Sequence, residues 1–290
     1  MAFDNLCPTA LSHRTNTDYS SMPFSVLMSL YAKEKPEYLR QSLNSVFNQT
    51  LPPDEVVLVL DGPIPNELQN VISDFTSKYI NLKIIPLQNN VGLGKALNEG
   101  LKYCSYDLVA RMDTDDIAKS NRFEKQISTF ENNPAIQIVS CWIDEFIETP
   151  ENIVSVRKLP ELPFEIYEYG KKRCPVNHPS VMFKKKAVEL AGGYRHFPLM
   201  EDYYLWVRLL LNGEKFYNIQ ESLLFFRTSD DTYKRRGGFK HGIDEIRFQY
   251  HIHKLGYTSS RQFLKNITIR FSTRIVPNSL REFIYKKLLR

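Results

Sequence analysis

Apolar positions along this chain follow two different periods. FSVLMSLY (24–31), EVVLVL (55–60), LKIIPL (82–87) and DLVARM (107–112) are short, nearly continuous apolar runs of the kind that form buried strands. Between them the apolar residues recur every three or four positions. Leu39, Leu43, Val46 and Phe47 follow Pro36; Leu68, Val71, Ile72 and Phe75 come next; a third such stretch spans about Gly94 to Tyr103. That spacing turns one side of each segment toward a core, as a helix does, and Pro36 suits a first helical turn. Strand and helix alternate four times within about ninety residues. The rhythm predicts βαβ units, a mostly parallel, Rossmann-like sheet and helices on both of its faces.

Beyond residue 130 the rhythm loosens. Strand-like pieces at 136–143, 153–159 and 180–184 mix with short helices, which predicts some antiparallel strands in this half. A helix over 200–212 stops at Gly213, SLLFFR (222–227) reads as a last strand, and 239–290 reads as helical. Residues 1–21 are polar and aperiodic, a loose tail, with Met22 offering an alternative start. The chain thus divides into a tail (1–21), an α/β domain (22–238) and a helical C-terminal extension (239–290). There is no internal repeat and no low-complexity segment.

Composition narrows the class. With 42% hydrophobic and 24% charged residues the chain has the make-up of a soluble globular protein. Its formal charge of +5 is too small to argue for nucleic acid, though compatible with phosphate-bearing ligands or an anionic surface. Cys7, Cys104, Cys141 and Cys174 lie far apart without zinc spacing, which favours a reduced, cytosolic setting. No apolar run approaches the ~18 residues a membrane span needs, and no signal-peptide pattern opens the chain.

The candidate chemistry lies in DLVARMDTDD (107–116). Asp113, Asp115 and Asp116 crowd four positions behind a strand, where mutual repulsion is costly unless a cation or donors neutralise it. Parallel strands would place Asp61, after the second, and Asp113, after the fourth, on one sheet edge, the usual ligand side of such sheets. VGLGKA (91–96) fails as a P-loop, because Asn89 stands at the first glycine and Ala96 at the Ser/Thr. An EF-hand fails because Ile117 and Ala118 occupy a ligand position and the required glycine. DTDDI nearly matches the phosphatase motif of haloacid-dehalogenase-like enzymes, but three βα units precede it instead of none. A nucleoside diphosphate bound through Mg²⁺ or Mn²⁺ suits the cluster better, since hard cations join a few carboxylates to phosphate oxygens.

FSVLMSLYAKEKPEYLRQSLNSVFNQTLPPDEVVLVLDG, NNVGLGKALNEGL, VARMDTDD, HPSVMFKKKAVELAGGY and MEDYYLWVRLL occur here in the order seen in glycosyltransferase family 2. The chain resembles the bacterial members that build capsular and exopolysaccharide repeats, amylovoran-type enzymes among them, over about residues 22–230. The resemblance implies a GT-A fold, a nucleotide-sugar donor (a UDP-hexose above all), a divalent metal, inversion at the anomeric carbon and a lipid-linked or glycan acceptor at the cytoplasmic face of the membrane. It further implies that Ser29, Tyr31 and Asp61 frame the nucleobase. Asn90, Gly92 and Lys95 fall where relatives hold nucleotide and phosphate, and Arg111 and Asp113 lie near ribose and diphosphate. Asp115, with Asp113, is the metal ligand, and Asp116 either assists or caps the next helix. Asp202 is the general base with Glu201 beside it, a reading favoured over the simpler one in which Asp202 only complements a helix N-terminus. His178 belongs to the acceptor site or is structural, Trp206 to the core or an acceptor platform.

Two departures from the family pattern matter. Ala32 stands where many relatives carry Asn, and Ser229, Asp230 and Asp231 stand where many carry a metal-binding His. The QxxRW motif of processive synthases is absent, which points to single-sugar addition. Arg235 and Arg236, between Lys234 and Gly237-Gly238, could close over the diphosphate as a lid. The alternatives are the phosphatase reading, with Asp113 as nucleophile, and a non-catalytic sugar-nucleotide binder. Finally, residues 261–290 hold eight Lys or Arg against one acid, Glu282, interleaved with Phe263, Leu264, Ile267, Phe271 and Ile284. That mixture suits peripheral contact with an anionic membrane.

Overall fold

The computed structural model describes residues 22–228 and 239–275. Its first half is the expected alternation: β1 (Phe24–Leu30), α1 (Pro36–Phe47), β2 (Glu55–Leu60), α2 (Asn66–Lys78), β3 (Leu82–Pro86), α3 (Leu93–Tyr103) and β4 (Leu108–Asp113). These four strands pair in parallel in the order β3-β2-β1-β4, with Ser29 opposite both Val59 and Asp113. β2 is buried along its whole length, and β1 and β4 almost so, which is why they read as continuous apolar runs.

Beyond β4 come β5 (Ile117–Ala118), α4 (Arg122–Asn132), β6 (Ile138–Phe146), β7 (Ile153–Arg157), α5 (Pro163–Gly170), a 3₁₀ turn (His178–Ser180), β8 (Met182–Lys184), α6 (Lys185–Leu190), α7 (Glu201–Leu211) and β9 (Phe216–Arg227). β8 joins β4 to β6 with antiparallel pairing on both sides, and β9 runs parallel to β6. The sheet is therefore parallel in one half and mixed in the other. β9 starts six residues earlier than its apolar run, because Asn218 replaces a hydrophobe there. Its buried amide nitrogen donates to the carbonyls of Pro160 and Pro175.

The strand faces divide the core in two. Val26, Met28, Val56, Leu58 and Ala110 meet α1, α2 and α4 through Leu43, Val71 and Phe123. Leu27, Val57, Val59 and Val109 meet α3 and α7 through Leu97, Leu101 and Leu205. Two further helices, α8 (Phe239–Lys254) and α9 (Ser260–Ile275), follow. Phe248 and Ile252 of α8, and Tyr257 after it, belong to this second core. α9 is tied to the domain by Asn266, whose amide donates to the Lys171 carbonyl, and by Arg270, which pairs with buried Glu245.

Candidate active site

The carboxyl ends of β1, β2 and β4 form one edge, and the acids predicted to share an edge do so. Asp61, just past β2, is buried, and its carboxylate accepts the N–H of Val91 at 2.7 Å and of Gly92 at 3.1 Å. The Asn90 amide in turn donates to the Asp61 carbonyl. Asp61 thus fixes the loop that leads into α3. Gly62 makes this closeness feasible: its φ is +90°, and a Cβ there would sit 2.7 Å from the Asn90 nitrogen. Ser29 is half-buried at this edge and Tyr31 is exposed beyond it.

At the end of β4, Arg111 grips Asp113 with two parallel guanidinium bonds, and the Arg111 side chain is almost wholly buried. Arg122 of α4, fully buried, donates to the Arg111 carbonyl, and Ser42 of α1 donates to that of Asp113. The acidic loop therefore has anchors from two helices of the same layer, α1 and α4. The carboxylates of Asp113, Asp115 and Asp116 bring oxygens within 4.8 Å of one another. Burial, then the charges of Asp113 and Glu34, push Asp115 up to about 7, and burial, then Asp115, raises Asp116 well above the ordinary carboxylate range. Asp116 does not cap a helix, as one reading of the sequence allowed: β5 follows it, and α4 begins only at Arg122. Instead one Asp116 oxygen accepts the Arg227 N–H at 2.8 Å, while the other is buried without a hydrogen-bond partner among the described residues.

These features meet the requirements of a divalent cation. Clustered hard oxygens, one of them orphaned among the described residues, hold their protons to higher pH because burial and mutual repulsion outweigh the attraction of Arg111. The residues that would hold such an ion are Asp115, Asp116 and Asp113, whose two carboxylate oxygens also accept from Arg111.

Arg111 and Asp113 also line a cavity of about 790 Å³, together with His178, Tyr194, Glu201 and Asp202. Asp202 lies in the first turn of α7 and accepts backbone N–H bonds there, so it serves the helix terminus and faces the cavity at once. Burial outweighs those bonds and raises its pKa, as burial does for Glu201. His178 Nε2 meets the Tyr194 hydroxyl at 2.8 Å, and burial, then Arg111, pushes its pKa well down, leaving a neutral ring at neutral pH. Trp206 is fully buried beneath, edge-on to His178, and does not line the cavity. Lys95 is not in this cavity either. It faces a shallower hollow with Gln88, Asn89 and Glu99. Arg235 and Arg236 lie outside the described residues.

Several site residues carried no readable signal. Glu34 accepts the Thr114 hydroxyl and adds a fourth acid near Asp115. Arg227, the last residue of β9, packs its guanidinium over the rings of Tyr38 and Phe146 and donates to the Asp115 carbonyl. Cys174 Sγ lies 3.9 Å from Asp202 Oδ2. Each comes from a distant part of the chain, and nothing in its neighbourhood marks it.

Comparison with known proteins places this arrangement. The model of glycosyl transferase family 2 matches residues 25–190. The UDP-Gal:alpha-D-GlcNAc-diphosphoundecaprenol beta-1,3-galactosyltransferase of Escherichia coli is 43% identical, over 92% of this chain and 96% of its own. The amylovoran biosynthesis glycosyltransferase AmsE of Erwinia amylovora is 39% identical, over 91% and 98%. Among solved structures, the mannosyltransferase PcManGT from Pyrobaculum calidifontis, in complex with GDP-Man and Mn²⁺, superimposes with a TM-score of 0.59 at 15% identity, over 90% of this chain and 72% of that one. That likeness is one of fold.

Proposed function

The chain belongs to glycosyl transferase family 2, and from that premise we propose that it moves one hexose from a UDP-sugar to a lipid-linked saccharide, with inversion and with the help of a divalent metal. The observation that carries this reading is a single cavity with the Arg111–Asp113 pair of the acidic loop on one part of its wall and Asp202 on another. A donor spanning these features has its diphosphate at the acidic loop and its sugar toward Asp202. The relatives in Escherichia coli and Erwinia amylovora support the acceptor class by their names.

In the proposed reaction an acceptor hydroxyl attacks the anomeric carbon from the face opposite the nucleotide, and Asp202 Oδ takes its proton. The raised pKa of Asp202 makes it a better base than an exposed carboxylate. Arg111 holds Asp113 in place, and neutral His178, tied to Tyr194, offers a hydrogen bond to the acceptor without adding charge. A divalent ion on the aspartates supplies Lewis-acid stabilisation of the charge left on the departing nucleoside diphosphate. Asp61 sets the nucleotide loop, and Ser29 and Tyr31 border the base.

The phosphatase alternative is set aside with the family assignment, and the Asp113 carboxylate, gripped by Arg111, is poorly placed to act as a nucleophile. Among the described residues no helix is long and apolar enough to cross a membrane. Contact with the cytoplasmic face would therefore be peripheral, through the basic C-terminal segment. The test is a screen of UDP-, GDP- and dTDP-sugars with and without Mn²⁺, using a saccharide on an alkyl diphosphate as acceptor. Transfer with inversion from a UDP-hexose, abolished by chelator, is the expected result. Donor binding without transfer to any acceptor would support a non-catalytic binder instead.

A further inference from the structure

The cavity is lined by more than the acidic loop and the proposed base. Beyond Asp202 its lining turns basic: Arg157 at the end of β7, Lys172 and Arg173 in the turn after α5, and Lys265 and Arg270 on α9. These residues form one continuous wall. Asn266 donates to the Lys171 carbonyl and Arg270 to the Lys172 carbonyl, which holds α9 against the turn, while Arg157 donates to the Cys174 carbonyl. Cys174 feels the charges of Asp202, Arg157 and Arg270 together, so the wall begins at the proposed base. Arg270 is partly neutralised by Glu245. Lys172 and Lys265 have no ion pair among the described residues, and both are exposed.

Cations that line one side of a cavity set up a positive field there, which an anion entering the cavity would complement. The acidic loop already accounts for the donor diphosphate, so the basic wall calls for a second anion. Apolar groups lie in the same lining. Leu199 is 65% exposed with a left-handed φ of +63°, and Ile269 is 46% exposed. A leucine held in that backbone region is strained, and such strain gathers at ligand sites. A hexose whose hydroxyl meets Asp202 carries its anomeric oxygen one ring away, and whatever follows that oxygen reaches this wall.

We propose that Arg157, Lys172, Lys265 and Arg270 form a second anion subsite for the diphosphate of the lipid-linked acceptor, with Leu199 and Ile269 receiving the start of its hydrocarbon chain. This subsite rests on the reading of the acceptor as lipid-linked. It makes α9 part of the acceptor site and explains how an enzyme can select a diphosphate-borne sugar over the same sugar free in solution.

The test uses the full chain loaded with UDP and Mn²⁺, so that the donor diphosphate site is filled. The probe is a medium-chain alkyl diphosphate carrying no sugar, read by calorimetry against the matching neutral alcohol. The alkyl diphosphate should bind and the alcohol should not. K172E/K265E should weaken that binding roughly tenfold or more, as loss of charge-assisted bonds does, while UDP affinity and Tm stay unchanged. K172R/K265R should retain it. If UDP binds normally and the alkyl diphosphate binds K172E/K265E as tightly as wild type, the subsite is overturned and the function stands. If K172E/K265E loses only binding to phosphatidylglycerol vesicles, the cations serve lipid headgroups and the subsite is again overturned. Failure of every nucleotide to bind the wild-type chain removes the glycosyltransferase reading, and the subsite with it.

Discussion

Asp115 illustrates how much a single carboxylate can depend on a partner. Its pKa of about 7 reflects burial beside Asp113 and Glu34. Asp115→Asn removes one of these repulsions, so in the absence of metal the variant should melt at a slightly higher temperature than wild type. The rise in Tm that Mn²⁺ and UDP give the wild type should be largely lost, and a thermal-shift series checks both halves. Asp202 makes a different prediction. As a base it must be ionised, and burial holds its pKa above the ordinary carboxylate value of about 3.9. Transfer should therefore fall as pH drops through that raised value, at a higher pH than an exposed Asp would give. Asp202→Asn should lower kcat by ~10²–10⁴-fold and abolish this acid limb, with donor affinity nearly unchanged. Joint loss of donor binding and stability would assign Asp202 to the helix terminus alone.

At the scale of elements, the site depends on how strand ends meet loops. The turn after β2 brings Gly62 against the Asn90 backbone at a φ that L-residues avoid. Gly62→Ala should cost on the order of 1–3 kcal/mol and also weaken donor binding, because the Asp61 clamp on Val91 and Gly92 must open to admit the methyl. Chemical denaturation and nucleotide titration measure the two effects. The far end of β9 matters similarly. Arg227 ties the Asp115 and Asp116 loop to α1 through Gln41 and the Tyr38 ring. Arg227→Ala should leave the fold intact and raise the Mn²⁺ concentration needed for half-maximal transfer. An unchanged metal requirement would show that the loop is rigid without it.

For the whole molecule, the question is how the proposed lipid-linked acceptor is reached when, among the described residues, no helix is long and apolar enough to cross a membrane. The described part of the C-terminal segment is firmly docked: Phe263 stacks on His253, and Asn266 and Arg270 hold α9 to the domain. Truncation after residue 260 would thus remove a cavity wall as well as charge, and it is a poor test of membrane binding. Charge reversal at Lys286, Lys287 and Arg290, which lie outside the described residues, separates the two. Each basic residue near an anionic surface contributes about 1 kcal/mol, so the triple reversal should sharply reduce binding to anionic vesicles at low salt. UDP affinity should not change. Wild-type indifference to such vesicles would confine the basic segment to a role within the protein.

The βαβ half was legible because its strands are buried on both faces and its helices on one, so burial alone writes the pattern into consecutive residues. Asp61, Asp113, Asp115 and Asp202 could be put forward as candidates for a related reason: each lies at or just beyond an element's end, within a motif only a few residues long. The second half was harder, since β9 carries buried Asn218 and β5 is two residues long, too short for any period. What tertiary structure alone decided is which distant residues complete the site. Arg111 could be expected near a diphosphate, but not its grip on Asp113; Arg227, Arg157 and Lys265 come from a strand end, a β-ribbon and a C-terminal helix with nothing local to mark them. Likewise, of the two readings Trp206 allowed, burial selects the core over an acceptor platform, and Lys95, expected near phosphate, faces another hollow. A side chain's neighbours along the chain fix its period, whereas the direction it faces depends on elements that only folding brings beside it.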